Sequence, residues 1–193
     1  MKTAGCILAG GRSSRFGSDK ALVMWKGETL LAHAIARLRP QVQELAINGN
    51  EATLEYTRHG IPIITDETAS FDGPLAGVLA GIRWARICGA DFVVTAAVDT
   101  PLFPADLVAV LANEARKTII AAESATGLHP TFALWSVSIE PALASWLASG
   151  QSRSMTEFLK SQPFHTAFFK SDGPLDPFFN INTPQDLEAL NQS

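Results

Sequence analysis

The sequence is poor in cysteine, in net positive charge and in long apolar runs, and each shortage excludes a class of protein. Two cysteines in 193 residues are too few for a disulfide framework. A formal net charge of −4 does not provide the broad positive surface expected of a nucleic-acid-binding protein. The strongest apolar run, residues 92–98, is far shorter than the ~18 residues of a membrane-spanning helix.

The first predicted strand begins close to the start of the sequence. Only three residues precede it, which leaves no room for the charged and apolar regions of a signal peptide. We therefore expect a cytoplasmic protein with no nucleic-acid partner and no membrane contact.

Length and composition indicate one globular domain. The chain has 193 residues, of which 47% are hydrophobic and 18% charged, and domains commonly span ~100–200 residues. Strand and helix patterns alternate along the chain, with no internal repeat or convincing linker. We expect residues 1–193 to form a single α/β domain, a three-layer Rossmann-like fold with a mainly parallel sheet flanked by helices.

Short β-rich apolar segments predict the strands. Residues 91–98 are almost wholly apolar, which is typical of a parallel strand at the centre of a sheet, covered on both faces. The predicted strands are residues 4–8, 44–48, 61–65, 91–98, 118–122, 131–135 and 165–169.

Capping residues and helical spacing predict the helices. Thr29 can cap a helix whose apolar positions run to Leu38, and Pro104 is expected as the first residue of another helix. Thr183 and Asp186 form a variant of the capping box before the last helix. Further helices are predicted at residues 75–85 and 138–149, and a polar segment at residues 53–59.

The loop after the first strand has the composition of a phosphate-binding loop. Residues 8–20 read LAGGRSSRFGSDK, with cations at Arg12, Arg15 and Lys20. Glycines let backbone N–H groups approach an anion closely, and the cations neutralise its charge. The spacing matches neither G-x-x-x-x-G-K-[ST] nor G-x-G-x-x-G. If the loop binds phosphate, it therefore does so with a sequence pattern different from these two motifs. The alternative is that the loop is a solvated turn that binds no phosphate.

Polar residues follow three other predicted strands. Asn48, Asp66 and Asp99 stand at or just after strand ends, and in α/β sheets ligands bind outside the carboxyl ends of the strands. We expect these side chains and the glycine-rich loop to share one crevice. Asp99, which precedes Thr100-Pro101, is suited to hold Mg²⁺ beside phosphate oxygens. The alternatives are a turn cap for Asp99 and local turn hydrogen bonds for Asn48 and Asp66.

Five short motifs follow one another along nearly the whole chain. They are residues 8–20, 73–77 (GPLAG), 99–101 (DTP) with Pro104, 129–130 (HP) and 180–184 (NINTP). In this order they resemble the molybdenum cofactor guanylyltransferase family, a branch of the nucleotidyltransferases. The related cytidylyltransferases usually have Ala where Gly10 stands and a different turn around Asp99, so guanine is favoured over cytosine.

The resemblance implies a reaction. GMP is transferred from GTP to the terminal phosphate of molybdopterin, giving the guanine dinucleotide cofactor and pyrophosphate. A phosphate nucleophile is already ionised at neutral pH, so catalysis is mainly positioning and charge neutralisation. The expected partners are GTP, molybdopterin and molybdoenzyme-specific chaperones or other cofactor-biosynthesis proteins.

The resemblance also implies roles for individual residues. Lys20 and Asp99 are the expected catalytic residues, with Asp99 as the ligand of Mg²⁺, and Asn180 and Asn182 are assigned to the acceptor or metal side. The expected nucleotide-binding residues are Leu8, Ala9, Gly10, Gly11, Arg15, Lys20, Asn48, Asp66 and Asp99.

Two other functions fit the same sequence. One is a molybdopterin cytidylyltransferase or another small nucleotidyltransferase. The other is a non-catalytic nucleotide-binding module of the same fold, although a module that only binds has no need of the Asp99 carboxylate.

Overall fold

The structure is a computed structural model that describes residues 1–10, 19–49, 54–66, 73–114, 118–171 and 173–191. Its strands are β1 (Thr3–Leu8), β2 (Met24–Trp25), β3 (Glu28–Thr29), β4 (Glu44–Asn48), β5 (Ile63–Ile64), β6 (Phe92–Ala97), β7 (Ile119–Ser124), β8 (Gly127–Ser136) and β9 (His165–Phe168). Its α-helices are α1 (Leu30–Leu38), α2 (Leu54–Thr57), α3 (Pro74–Ile87), α4 (Leu107–Asn113), α5 (Glu140–Ala148), α6 (Met155–Ser161) and α7 (Pro184–Asn191).

Seven strands form one mainly parallel sheet in the order β5-β4-β1-β6-β8-β7-β9. The pairs β1–β4, β1–β6, β4–β5 and β7–β9 are parallel, whereas β8 runs antiparallel to both β6 and β7. The α/β prediction is confirmed, and β6 lies at the centre as predicted. The sheet is not parallel throughout, because β8 follows β7 through a tight turn and must reverse direction, and it also pairs antiparallel with β6.

Helices cover both faces of the sheet, which gives the predicted three layers. One face packs apolar residues of α1 and α4 against the strands, and the other packs α3, α5 and α6. In β1, Ile7 faces the first layer, whereas Cys6 and Leu8 face the second, because successive side chains of a strand point to opposite faces. Burial on both faces explains why β1 and β6 are almost wholly apolar.

Two predicted helix caps are confirmed. Thr29 Oγ1 accepts a hydrogen bond from the backbone N–H of Ala32 (3.1 Å) at the start of α1. At α7, Thr183 Oγ1 accepts from the N–H of Asp186 (3.2 Å), and Asp186 Oδ2 accepts from the N–H of Thr183 (2.8 Å). This reciprocal pair is the capping box, which begins the helix at Pro184.

The predicted helix start at Pro104 is wrong. The helix α4 begins at Leu107, because two successive turns precede it. The N–H of Phe103 bonds to the Thr100 carbonyl (3.3 Å), and the N–H of Leu107 bonds to the Pro104 carbonyl (3.2 Å). Pro104 therefore lies in a turn that leads from the end of β6 to the helix.

Several short elements differ from the sequence predictions. The segment expected to be polar at residues 53–59 contains α2, and the strand predicted at residues 61–65 is reduced to β5. The hairpin β2–β3 and the helix α6 were not predicted. The hairpin turns at Lys26 and Gly27, both with positive φ, which is the pattern of a two-residue turn of type I′. Across the described ranges, none of the helices is long and apolar enough to cross a bilayer.

Candidate active site

The site lies where the strand order reverses. From β1 the chain adds β4 and β5 on one side and then returns to place β6 on the other side. Loops diverge at such a switch point and leave a crevice beyond the carboxyl ends of the strands. Backbone bonds join the strand ends there: Ala9 N–H donates to the Asn48 carbonyl (2.9 Å), and Val98 N–H donates to the Leu8 carbonyl (3.2 Å).

The ammonium group of Lys20 is the centre of the site. Its Nζ lies 2.7 Å from Asp99 Oδ2 and 2.8 Å from Asn182 Oδ1. The side chains of Lys20 and Asp99 are 18% and 22% exposed, so the pair is shielded but still open to a ligand. Three segments far apart in the sequence therefore meet at one cation.

The turn after β6 and the segment before α7 are joined directly. The backbone N–H of Ile181 donates to the Asp99 carbonyl (2.8 Å), and the buried Thr100 hydroxyl donates to Asn180 Oδ1. On the other side of the segment, Asp186 Oδ2 accepts from the backbone N–H of Asn182 (2.8 Å). The backbone of Asn182 is thus fixed by the helix cap, while its side chain is directed to Lys20.

The Asn48 and Asp66 side chains form a second part of the site. Asn48 Nδ2 donates to Asp66 Oδ1 (2.8 Å), and Asn48 is only 3% exposed, whereas Asp66 is partly exposed. Gly77 in α3 lies against this amide, since a Cβ there would stand 2.2 Å from Asn48 Oδ1. The glycine of the GPLAG motif therefore makes room for Asn48, and Asn48 in turn orients Asp66.

The remaining predicted residues divide into two groups. Leu8 is buried at the end of β1, Ala9 is partly buried, and Gly10 is exposed. Because the N–H of Ala9 is bonded to Asn48, a contact from Ala9 to a nucleotide would use its carbonyl oxygen. Gly11 and Arg15 lie outside the described residues.

The donor atoms of the site fit a hard divalent cation. Asp99 supplies a carboxylate and Asn182 supplies an amide oxygen. Both groups accept hydrogen bonds from the Lys20 ammonium group. Among the residues the structure describes, no group of three His, Cys, Asp or Glu side chains could hold a metal. One carboxylate is sufficient for Mg²⁺, which commonly completes its coordination with phosphate oxygens and water.

A separate polar cluster anchors the segment that leads to Asn180. Asp176 accepts hydrogen bonds from the Ser124 hydroxyl (2.6 Å), the Thr126 hydroxyl (2.9 Å) and the backbone N–H of Phe178 (2.8 Å). The ring of His129 contacts Ser124 Oγ through Nε2 at 2.7 Å. Asp176 bonds to the serine rather than to the far side of the imidazole, so the arrangement is an anchor and not a nucleophilic triad.

Sequence reasoning missed three residues that support the site. Thr100 could have been found, because it stands in the DTP motif directly after Asp99. Asp19 directly precedes Lys20 and caps the 3₁₀ turn Lys20–Leu22, a role that its position before an apolar turn could have suggested. Tyr56 hydrogen-bonds to Asp19, and nothing in the sequence indicated that contact.

The comparisons with known proteins agree with this geometry. The profile of the MobA-like NTP transferase domain matches residues 5–165. A relative from Rhizobium meliloti (strain 1021), named molybdenum cofactor guanylyltransferase, is 42% identical over 189 residues, covering 94% of this chain and 87% of the relative. The chain belongs to the molybdenum cofactor guanylyltransferase family. The predicted family is confirmed, and the chain is an enzyme, a nucleotidyltransferase, rather than a non-catalytic module.

Solved structures of low identity share the fold of this family. Molybdopterin-guanine dinucleotide biosynthesis protein A from Archaeoglobus fulgidus has a TM-score of 0.77 at 22% identity, covering 98% of this chain and 97% of that chain. The 4-diphosphocytidyl-2C-methyl-D-erythritol synthase from Anaerococcus prevotii has the same TM-score at 12% identity, covering 100% and 99%. Since the second protein is named for a cytidyl compound, the fold alone does not decide the base.

Proposed function

We propose that the chain transfers GMP from GTP to the terminal phosphate of molybdopterin and releases pyrophosphate. The observation that carries the proposal is the position of the Lys20 ammonium, held by Asp99 and Asn182 at the switch point of the sheet. The names of the curated relatives support guanine and molybdopterin as the substrates.

The reaction is an in-line displacement at the α-phosphorus of GTP. An oxygen of the pterin phosphate forms the new P–O bond, and the bond to the β-phosphate oxygen breaks with its electron pair leaving on pyrophosphate. The nucleophile needs no deprotonation, so the protein has to align two anions and offset their charge.

Lys20 supplies the positive charge for the phosphates. Without a ligand its charge is balanced by Asp99 at 2.7 Å. When bound, Mg²⁺ would be held by the Asp99 carboxylate and would neutralise phosphate charge and polarise the phosphorus centre. Lys20, which is only partly buried beside Asp99, would bind phosphate oxygens of the nucleotide.

The guanine side is assigned to the ends of β1 and β4. Asp66 is the partly exposed acceptor of the Asn48–Asp66 pair, and the Ala9 carbonyl is a second acceptor. Guanine carries N–H donors that match such acceptors, whereas cytosine presents a different pattern. Leu8 and Gly10, on either side of Ala9, would also contact the nucleotide, and Gly11 and Arg15 remain predicted phosphate contacts.

The acceptor side is assigned to the segment before α7. Asn182 contacts Lys20 directly, and Asn180 is held by the buried Thr100. Asn182 therefore borders the region assigned to the phosphates, and Asn180 lies beside the turn that follows β6, whereas the Asn48–Asp66 pair lies at the end of β4, on the other side of β1. We also infer a cytoplasmic location and transient contact with molybdoenzyme-specific chaperones, which would receive the finished cofactor.

A transfer assay with purified components tests the proposal. The protein is incubated with molybdopterin, Mg²⁺ and each of the four NTPs, and the dinucleotide and pyrophosphate are measured by mass spectrometry and a coupled assay. We expect GTP to react at least tenfold faster than CTP or ATP, because groups paired to guanine are left unpaired by another base. Equal turnover of CTP would contradict the guanine assignment, and no transfer with any NTP would contradict the reaction.

A further inference from the structure

Two hydrogen bonds fix the carboxylate of Asp19, the residue directly before Lys20. Asp19 Oδ1 accepts from the backbone N–H of Ala21 (3.0 Å) and so caps the 3₁₀ turn that begins at Lys20. Asp19 Oδ2 accepts from the hydroxyl of Tyr56 (2.8 Å). Both oxygens of the carboxylate are therefore used to hold the turn from which Lys20 extends.

Tyr56 connects this turn to the other half of the site. It lies in α2 and is only 2% exposed, and its ring packs against Gly49, where a Cβ would stand 3.0 Å from Tyr56 Cε1. Gly49 directly follows Asn48. Burial and the neighbouring Asp19 raise the pKa of the Tyr56 hydroxyl well above its ordinary value, so the group remains a hydrogen-bond donor.

We propose that Tyr56 is a positioning residue for nucleotidyl transfer, which acts through Asp19 to fix the backbone from which Lys20 reaches Asp99. The inference rests on the proposed role of Lys20. A lysine ammonium is a point charge on a flexible four-carbon stem, so its placement depends on how firmly its backbone is held. Small misplacement of a charged group in an active site is enough to lower the rate substantially.

A purely structural role for Tyr56 makes a different prediction. The hydrogen bond to Asp19 would then only provide the buried Tyr56 hydroxyl with a partner. Packing of the fully buried Ala21 would be sufficient to fix the turn. Loss of the hydroxyl would lower stability but would leave the contribution of Lys20 to the reaction unchanged. A double-mutant cycle distinguishes the two roles, because residues that act through one another are not additive.

The cycle compares wild type, Tyr56→Phe, Lys20→Ala and the double variant in the transfer assay. We expect Tyr56→Phe to lower kcat about tenfold in wild type and to change it by less than about twofold in the Lys20→Ala background. The same tenfold loss in both backgrounds, or no loss in wild type, would overturn the inference. If Lys20→Ala itself retained full activity, the proposed function of the site would fail instead, and the inference with it.

Asp19→Asn provides a second route to the same contact. The Ala21 N–H and the Tyr56 hydroxyl bond to different oxygens of Asp19, and an asparagine has an oxygen at only one of these two positions, so in the same geometry it cannot accept from both. We expect a loss of kcat comparable to that of Tyr56→Phe, again absent in the Lys20→Ala background. The control is Thr95→Val, which removes the buried hydroxyl that accepts from the Trp135 indole (3.0 Å). It should lower the melting temperature while its effect on kcat stays the same in both Lys20 backgrounds.

A spectroscopic measurement tests the contact without activity. The chain has one tyrosine, so protein labelled with ¹³C at tyrosine Cζ gives a single resonance. We expect this resonance to move in Asp19→Asn and to stay in place in Asp106→Asn, which alters an exposed carboxylate at the start of α4. An unmoved resonance in Asp19→Asn would show that the hydrogen bond is absent in solution and would overturn the inference even if Tyr56→Phe failed to fold.

Discussion

Asn182 Oδ1 accepts a hydrogen bond from Lys20 Nζ at 2.8 Å, although 162 residues separate the two in the chain. This contact closes the site between its first and last segments. The contact depends on the capping box of α7, because the Asp186 carboxylate accepts a hydrogen bond from the backbone N–H of Asn182 and so fixes the backbone there. A motif that organises a helix start therefore also directs a side chain into the site, and the two roles predicted for the NINTP segment are compatible.

Replacement of Lys20 tests the electrostatic role of its ammonium. Lys20→Ala should lower the transfer rate by about 10²–10³, the loss typical of one preorganised electrostatic group. The fold should persist, since the side chain is not part of the apolar core. Lys160→Ala, at an exposed position of α6, is the matched control and should leave the rate unchanged. Near wild-type transfer by Lys20→Ala would make this lysine an ordinary surface charge.

Replacement of Gly77 tests the arrangement of Asn48. In Gly77→Ala the new Cβ would lie 2.2 Å from Asn48 Oδ1, so the amide must move and with it Asp66. We expect KM for GTP to rise about tenfold or more, with a smaller change in KM for molybdopterin. Gly173→Ala is the control, because a Cβ there meets no atom within 4 Å. Equal increases in both KM values would argue against a nucleotide-specific role for this pair.

The pH dependence of stability tests the cluster around Asp176. Burial lowers the pKa of His129, and the neighbouring Asp176 opposes this effect. Because the unfolded chain then binds a proton more readily than the folded one, stability should fall as pH decreases below about 6.5. His129→Gln should lose less Tm than wild type between pH 7 and pH 5, because the glutamine side chain does not bind a proton in this range. An identical Tm profile for the variant would show that His129 does not titrate in this range.

The sequence was sufficient to predict the parts of the site that follow from strand order. Because parallel strands place their carboxyl ends at one edge, Asp99 could be expected near the loop that ends at Lys20, and the structure places the two in contact. The sequence did not predict the antiparallel direction of β8 or the start of α4, because tight turns between the elements determine both. A proline suits the first turn of a helix, but at Pro104 the turn bonds made by Thr100 and Leu107 decided otherwise.

Contacts between distant side chains could not be predicted in the same way. The hydrogen bond between Tyr56 and Asp19 joins a four-residue helix to a turn. Both segments are too short to show a periodic pattern of apolar residues, so the sequence does not predict that they pack together. The same holds for Thr100 and Asn180, which only the packed fold brings together.

Replacement of Asp99 separates a metal ligand from a turn cap. Within the described part of the chain, the Asp99 carboxylate accepts from the Lys20 ammonium (2.7 Å) and lies 3.4 Å from the Thr100 hydroxyl, and it accepts from no backbone N–H as a cap would. Asp99→Asn keeps the shape of the side chain but removes the charge that would hold Mg²⁺. Transfer should fall by about 10² or more, with only partial recovery at higher Mg²⁺.

The thermal stability of the same variant completes the test. Loss of a helix or turn cap typically costs ~1 kcal/mol of stability and does not alter a metal requirement. We expect the melting temperature of Asp99→Asn without nucleotide to change little, and the Mg²⁺ concentration for half-maximal activity to rise. Both quantities are measured on one preparation, by calorimetry and by titration of the transfer assay. A destabilised protein with an unchanged Mg²⁺ profile would instead make Asp99 a structural residue, and the metal would have to be held elsewhere.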